Sequence, residues 1–301
     1  MNAATPVMTQ TPLGVSSERT TRPRLSVVVP TRNSAVTLGR CLSSIRRQSD
    51  SIGAPFPVEL IVVDNQSSDE TRRIAQIYAH IVEDWGPERS AQRNRGSVLA
   101  SAPYVLFIDS DMVLTPTVCA EVFAELDRGA GAVIVPEESF GDGFLARCRA
   151  MEKRIALGDP RTEAARGFPV DLLKQVGSWN EGLTAAEDWD LTERVAATGR
   201  PIGRTRAVVR HDEGRLRLRT TFTKKTYYGR WVGQYLSTPR GASSGPPRRT
   251  RLSPLRLLRK PMLLVRRPDL AIGMVMLKVV EAAGIAVGIV GSAREIGRAH
   301  V

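Results

Sequence analysis

Three strand-like runs, Leu25–Val29, Glu59–Val63 and Tyr104–Ile108, constrain this chain more than any other feature, because each stops abruptly at polar residues. They end at Pro30-Thr31-Arg32-Asn33, at Asp64-Asn65 and at Asp109-Ser110-Asp111. Short β-branched runs closed by turn residues read as buried strands. Between them lie stretches of helical spacing: Leu38–Arg47, with Leu38, Leu42 and Ile45 on one face, Asp69–Ala79, with Asp69 placed to cap it, and Ala91–Ala100. Strands alternating with helices in this way predict an α/β fold with a mostly parallel sheet covered on both faces. Ligands of such sheets gather beyond the carboxyl ends of the strands, where all three polar loops fall.

The rest of the chain reads more coarsely. Thr117–Leu126 and Phe144–Ala156 suit helices, Ala132–Val135 and Ala207–Arg210 suit strands, and Glu187–Ala197 carries Leu191 and Val195 at amphipathic spacing. A basic helix is expected around Thr220–Tyr235, then a Gly/Ser/Pro/Arg-rich loop from Ser237 to Pro254. Residues 1–22, polar and without the apolar core of a signal peptide, read as a disordered leader. The expected division is therefore 1–22 leader, 23–236 α/β domain and 237–301 C-terminal helices.

Charge is distributed unevenly. From Arg200 onward there are 22 Lys+Arg against 5 Asp+Glu, a balance of +17, so the total of +12 leaves −5 for the first 199 residues. Such a basic third suggests an anionic partner. Its cations alternate with aliphatic residues, as in Leu255-Arg256-Leu257-Leu258-Arg259-Lys260, and lack the aromatics that stack on bases, which favours a membrane surface over nucleic acid. The apolar stretch Ile272–Gly291 contains Lys278 and Glu281 at helical contact spacing. Those charges favour an in-plane helix, a helix packed on protein or a homodimer contact over a spanning segment. Three widely spaced cysteines, with no Cys-x-x-Cys pair, suit a reducing cytoplasmic setting.

Asp109 and Asp111 stand two apart at a strand end. Alternating side chains on an extended strand share a face, so the two carboxylates would converge into an oxygen-rich site for a hard divalent cation. Five segments then resemble, in order, the inverting family 2 glycosyltransferases, whose nucleotide-sugar-binding domain has the GT-A fold. They are Ser26 to Asn33, Ile61 to Asp69, Gln92-Arg93-Asn94-Arg95-Gly96, Asp109-Ser110-Asp111 and Glu187-Asp188. The resemblance covers about residues 24 to 212.

That resemblance implies transfer of a sugar from a nucleotide-sugar donor to a hydroxyl acceptor, lipid-linked or part of a cell-envelope glycan, with Mn2+ or Mg2+ as cofactor. It puts Pro30, Thr31, Arg32, Asn33, Asp64, Arg93, Asn94 and Asp109 against the donor, and Asp109, Asp111 and His211 on the metal. A nitrogen ligand would tilt the preference towards manganese. Asp188 is implied as catalytic base, with Trp179, Glu187 and Trp189 on the acceptor side. Gly177-Ser178-Trp179-Asn180-Glu181 departs from the Gly-Gly-Phe-Asp-Glu common in the family, a difference on the acceptor side. Two other classes compete. A nucleotidyltransferase would carry a Gly-rich phosphate loop after its first strand, which Pro30–Asn33 is not. A non-catalytic basic membrane- or nucleic-acid-binding protein would have no use for Asp109, Asp111 and Asp188 together.

Overall fold

The computed structural model describes residues 22–159, 162–184, 186–237 and 259–299, and its main sheet has seven strands. The first four are β1 (Leu25–Thr31), β2 (Val58–Asp64), β3 (Ile81–Asp84) and β4 (Tyr104–Phe107), all parallel and ordered β3-β2-β1-β4. Then come β5 (Met112–Leu114), β6 (Ala132–Ile134), β7 (Glu137–Asp142), β8 (Ala165–Pro169), β9 (Ile202–Arg204) and β10 (Val209–Arg215). The main sheet continues past β4 as β8-β6-β9, with β8 antiparallel to both neighbours and β6 parallel to β9. A mostly parallel sheet is thus what forms, with one reversed strand. β5, β10 and β7 make a second, three-stranded sheet, in which β10 lies antiparallel to β5 and parallel to β7.

Helices cover both faces. The first three are α1 (Ala35–Arg46), α2 (Thr71–Tyr78) and α3 (Arg89–Leu99), and α4 (Val118–Asp127) and α5 (Gly143–Ala156) follow. Next are α6 (Val170–Gln175), α7 (Glu187–Ala196), α8 (Leu218–Ser237), α9 (Pro261–Arg266) and α10 (Pro268–Ala299). Every residue of β1 is buried, as expected of a central parallel strand. Val27 and Val29 pack with Leu38, Leu42 and Ile45 of α1, while Val28 faces the opposite core with Phe107, Phe168, Trp179 and Leu191. Gly96 lets α3 lie directly on β1, since a Cβ there would collide with Val28.

Sequence patterning did not disclose β3, β5, β7, β8 or β9, and β10 starts and ends later than the expected Ala207–Arg210. These strands are short or, as in Glu137–Asp142, mostly polar, so no period-2 signal marks them. The leader, apart from Arg22, and nearly all of the Ser237–Pro254 loop lie outside the described residues. α10 packs on α5 through Leu270, Met274 and Leu277 against Cys148, Met151 and Ile155. Against α8 its glycines permit near-contact of backbones: a Cβ on Gly284 would sit 2.8 Å from the Phe222 carbonyl, and one on Gly288 would sit 2.9 Å from Gly229 Cα. Its other face, with Ile272 and Val279, is exposed.

Candidate active site

The loops that end β1 and β2 are stitched to one another. Asp64 is buried, its Oδ1 accepting from the Thr31 and Ser67 hydroxyls at 2.8 and 2.6 Å and its Oδ2 accepting from Ser67 N at 2.9 Å. Asn33 takes φ 48, a left-handed conformation that asparagine tolerates, and its Oδ1 accepts from Ser68 N at 2.9 Å. The N-cap of α2 is Glu70 and not the expected Asp69, but Asp69 accepts from Thr71 N at 3.0 Å and from Ala35 N at 3.1 Å, at the starts of α2 and α1. Gln92 of α3 donates to the carbonyls of Thr31 and Val63. Pro30 and Thr31 are buried in β1, whereas Arg32 is exposed beyond it.

Asp109 and Asp111 make separate contacts. β4 ends at Phe107, and Met112 N donates back to Asp109 O at 3.0 Å, so the two aspartates straddle a turn. Asp109 accepts from Arg93 at 2.8 Å and pairs with Arg166 at 3.5 Å. Burial alone would raise its pKa, but Arg93 first, then Arg166 and Arg89, hold the carboxyl well below its ordinary value. Both oxygens of Asp109, expected on the metal, are met by guanidiniums here.

Asp111 meets the other predicted ligand. Its Oδ2 is 3.2 Å from His211 Nε2, because β10 brings His211 opposite Met112. His211 Nδ1 lies 2.9 Å from Glu137 Oε1 on β7. Burial lowers the ring's pKa, yet the hydrogen bonds to Asp111 and Glu137 outweigh it and raise it to about 10. Among the described residues no three His, Cys, Asp or Glu side chains form a ready-made metal-binding group. Asp111 and His211 nevertheless fit a divalent cation that takes its remaining ligands from phosphate and water. Asp111 Oδ1 is buried with no hydrogen-bond partner, and Glu137 supports His211 from behind as carboxylates commonly do for metal-binding imidazoles.

Arg93 is the pivot. It is fully buried on α3, and it reaches Asp109 at the end of β4 together with Glu187 (3.3 Å) and Asp188 (3.1 Å) at the start of α7. Asp188 keeps a side chain 40% exposed, while Glu187 is buried and also pairs with Arg89 at 3.4 Å. Burial, and next the charge of Asp188, push the Glu187 carboxyl up to about 7 against the pull of Arg89 and Arg93. Asn94 donates to Trp179 O and Glu181 Oε1 and accepts from Trp179 N. Of the pair expected at the donor, Asn94 thus joins α3 to the segment leading into α7, and Arg93 joins α3 both to the end of β4 and to the start of α7.

Trp179 needs correction. It is 3% exposed, packs edge-on to Phe107 at 5.2 Å and lies under the Arg93 guanidinium at 4.4 Å, so it belongs to the core and offers no face to an acceptor. Trp189, by contrast, lines a cavity beside Asp188. Sequence reasoning missed Arg89, Glu137 and Arg166. Arg89 had a signal, since it precedes Arg93 by one helical turn, but Glu137 and Arg166 lie in no motif.

The family model described as glycosyl transferase family 2 matches residues 26–165. Validoxylamine A glucosyltransferase of Streptomyces hygroscopicus subsp. limoneus is 35% identical over 183 residues, covering 56% of this chain and 38% of that protein. The chain thus spans well under half the length of that relative. The PGL/p-HBAD biosynthesis glycosyltransferase of Mycobacterium bovis (strain BCG / Pasteur 1173P2) is 37% identical over 190 residues, or 57% of this chain and 69% of that one. Among solved structures, the mannosyltransferase PcManGT from Pyrobaculum calidifontis, in complex with GDP-Man and Mn2+, superposes with a TM-score of 0.51 at 21% identity, covering 93% of this chain and 80% of that chain. That likeness shows the shared GT-A fold.

Proposed function

The chain belongs to glycosyl transferase family 2, and from that premise we propose that it moves a sugar, with inversion, from a nucleotide-sugar donor to a hydroxyl acceptor. The observation that carries this reading is the Arg93 clamp. It draws the aspartate at the end of β4 and the half-exposed Asp188 of α7 to one guanidinium, so the donor edge and the base share a fixed frame.

In this reading Arg32 meets the diphosphate, for which a guanidinium is well suited, and Asp64 holds the loops that shape the nucleotide pocket. Manganese or magnesium, held by Asp111 and His211, would supply charge neutralisation for the departing diphosphate. The acceptor oxygen forms its bond to the anomeric carbon as the bond to the diphosphate breaks and that electron pair leaves with the nucleotide. Asp188 accepts the acceptor's proton. Arg93 keeps the Asp188 carboxylate oriented for that transfer.

The test is a thermal-shift screen of nucleotide sugars, since a ligand of the folded state raises the melting temperature. A nucleotide sugar is expected to shift it with Mn2+ and much less in excess chelator. An equal shift in chelator removes the metal from the proposal, and no shift with any donor removes the proposal.

The same reading places residues 23–236 as the catalytic domain, with the C-terminal helices lying on the inner face of the membrane. Supporting it, Met262, Val265, Ile272 and Val279 are more than 60% exposed, and Arg259, Lys260, Arg266 and Arg267 flank them. Pro268–Gly291 is long and apolar enough to cross a membrane, but its inner face is packed on α5 and α8 and Glu281 is buried, which favours an in-plane helix. Flotation with anionic liposomes should be salt-sensitive and should fail for the Ile272→Glu, Val279→Glu double variant. Flotation unchanged in that variant would exclude this face.

A further inference from the structure

Asp188 and Trp189 form one end of a cavity of about 360 Å3, within the range of small-molecule sites. None of the donor-edge residues Arg32, Asp64 or Asp111 lines it. Its walls carry five cations: Arg149 and Lys153 from α5, Arg166 from β8, Lys225 from α8 and Lys278 from α10. Four carboxylates also face it, but two are matched from outside. Asp188 is bonded by Arg93, and Glu163 by both terminal nitrogens of Arg204. Glu137 and Glu152 remain, together with Glu281 just behind the wall. Arg166 is likewise matched from outside by Asp109, so four cations face three carboxylates.

The imbalance is sharpest at Lys225. Its described counter-charge is Glu281 at 3.4 Å, and that carboxylate already accepts from Arg149 and from Lys278. Burial, the largest influence, lowers the Lys225 ammonium below its ordinary pKa in spite of Glu281. A partly desolvated ammonium with a shared partner is stabilised by an incoming anion, and lysine is a common point-charge ligand for phosphate.

We infer that this cavity receives the acceptor, and that the acceptor carries a phosphate ester held by Lys225 and Lys278 while its hydroxyl is presented to Asp188. The inference rests on the reading of Asp188 as base. The phosphate is unchanged in the reaction: the hydroxyl oxygen takes the anomeric carbon, its proton passes to Asp188, and the nucleoside diphosphate leaves. Both lysines lie beyond residues 26–165, so the recognition is built by helices outside the region matched by the family model.

The experiment is equilibrium dialysis of radiolabelled glycerol 3-phosphate with the full-length chain, with and without saturating UDP or GDP plus Mn2+. Saturable binding is expected, undiminished by the nucleotide, absent for glycerol, at least tenfold weaker in Lys225→Met and retained in Lys225→Arg. Loss of binding in the presence of nucleotide would put the anion in the donor groove and overturn the inference. So would unchanged affinity in Lys225→Met or no saturable binding at all. Displacement of the label by phosphatidylglycerol vesicles identifies a lipid headgroup as the source, and failure to displace identifies a soluble phosphate ester; either result upholds the shared chemistry. Asp188→Asn separates the two readings. If that variant binds the label normally and also turns over normally, the base assignment falls while the phosphate site stands.

Discussion

The donor edge and the wall opposite it are held by different physics. At the ends of β1 and β2, short side chains and backbone groups cross-link neighbouring loops through hydrogen bonds such as Thr31–Asp64, Ser67–Asp64 and Asn33–Ser68. Between α5, α8 and α10, long side chains form a half-buried ionic lattice in which Glu281 receives Arg149, Lys225 and Lys278, and Lys278 also reaches Glu152 at 2.5 Å. The first device positions backbone, and each bond in it is individually modest. The second keeps charge inside the protein, where every member depends on the others.

The largest expected effect tests that difference directly. Glu281→Ala leaves three cations without their shared carboxylate and should cost about 3–5 kcal/mol in urea denaturation, in the range for breaking a buried ion pair. Ser67→Ala at the donor edge should cost only about 1–2 kcal/mol. Equal losses would mean that apolar and glycine packing, and not the lattice, holds the wall.

Asp188→Asn probes where the two regions meet. The amide keeps the shape and cannot take the proton, so turnover should fall by roughly a hundredfold while donor affinity stays nearly intact. A defect confined to donor affinity would move Asp188 to the donor edge.

The smallest effect is in pH dependence. With its pKa raised to about 7 in the folded chain, Glu187 favours the folded state below the ordinary carboxylate pKa, and that contribution is lost as pH rises towards 7. The melting temperature should therefore fall between pH 5 and pH 8, and Glu187→Gln should flatten the fall. An identical slope in that variant would assign the titration elsewhere.

The donor edge was legible in the sequence because its strands are apolar runs with polar ends, and its cross-links join segments that each carry a local pattern. Asp64 and Asp69 could be picked out on those grounds, and the Arg93-Asn94 pair through the family resemblance. What they touch could not: nothing local says that the turn after Phe107 brings Asp109 to Arg93 and Arg166. Trp179 looked like an exposed platform because nothing local says that Phe107 and Phe168 enclose it. Glu137, Arg166 and Lys225 are ordinary charged residues in the sequence. They gain meaning only when β7, β8 and α8, far apart in the chain, are brought together. Lys278 and Glu281 were visible as a helical pair, and they do pair, at 2.5 Å, although Arg149, Lys225 and Glu152 complete the set.

One consequence follows from the glycines between α8 and α10. Gly284 and Gly288 are one helical turn apart, and each meets the backbone of α8 with no side chain between them. Such a seam leaves no slack for one helix to ride over the other. Where the outer face of α10 rests on a membrane, as proposed, this seam would hold the cavity beside Asp188 at a fixed height above it, as if set by a gauge block. A substrate anchored in that surface by a tether of the wrong length would be refused by distance alone, before any contact with the site could read its chemistry.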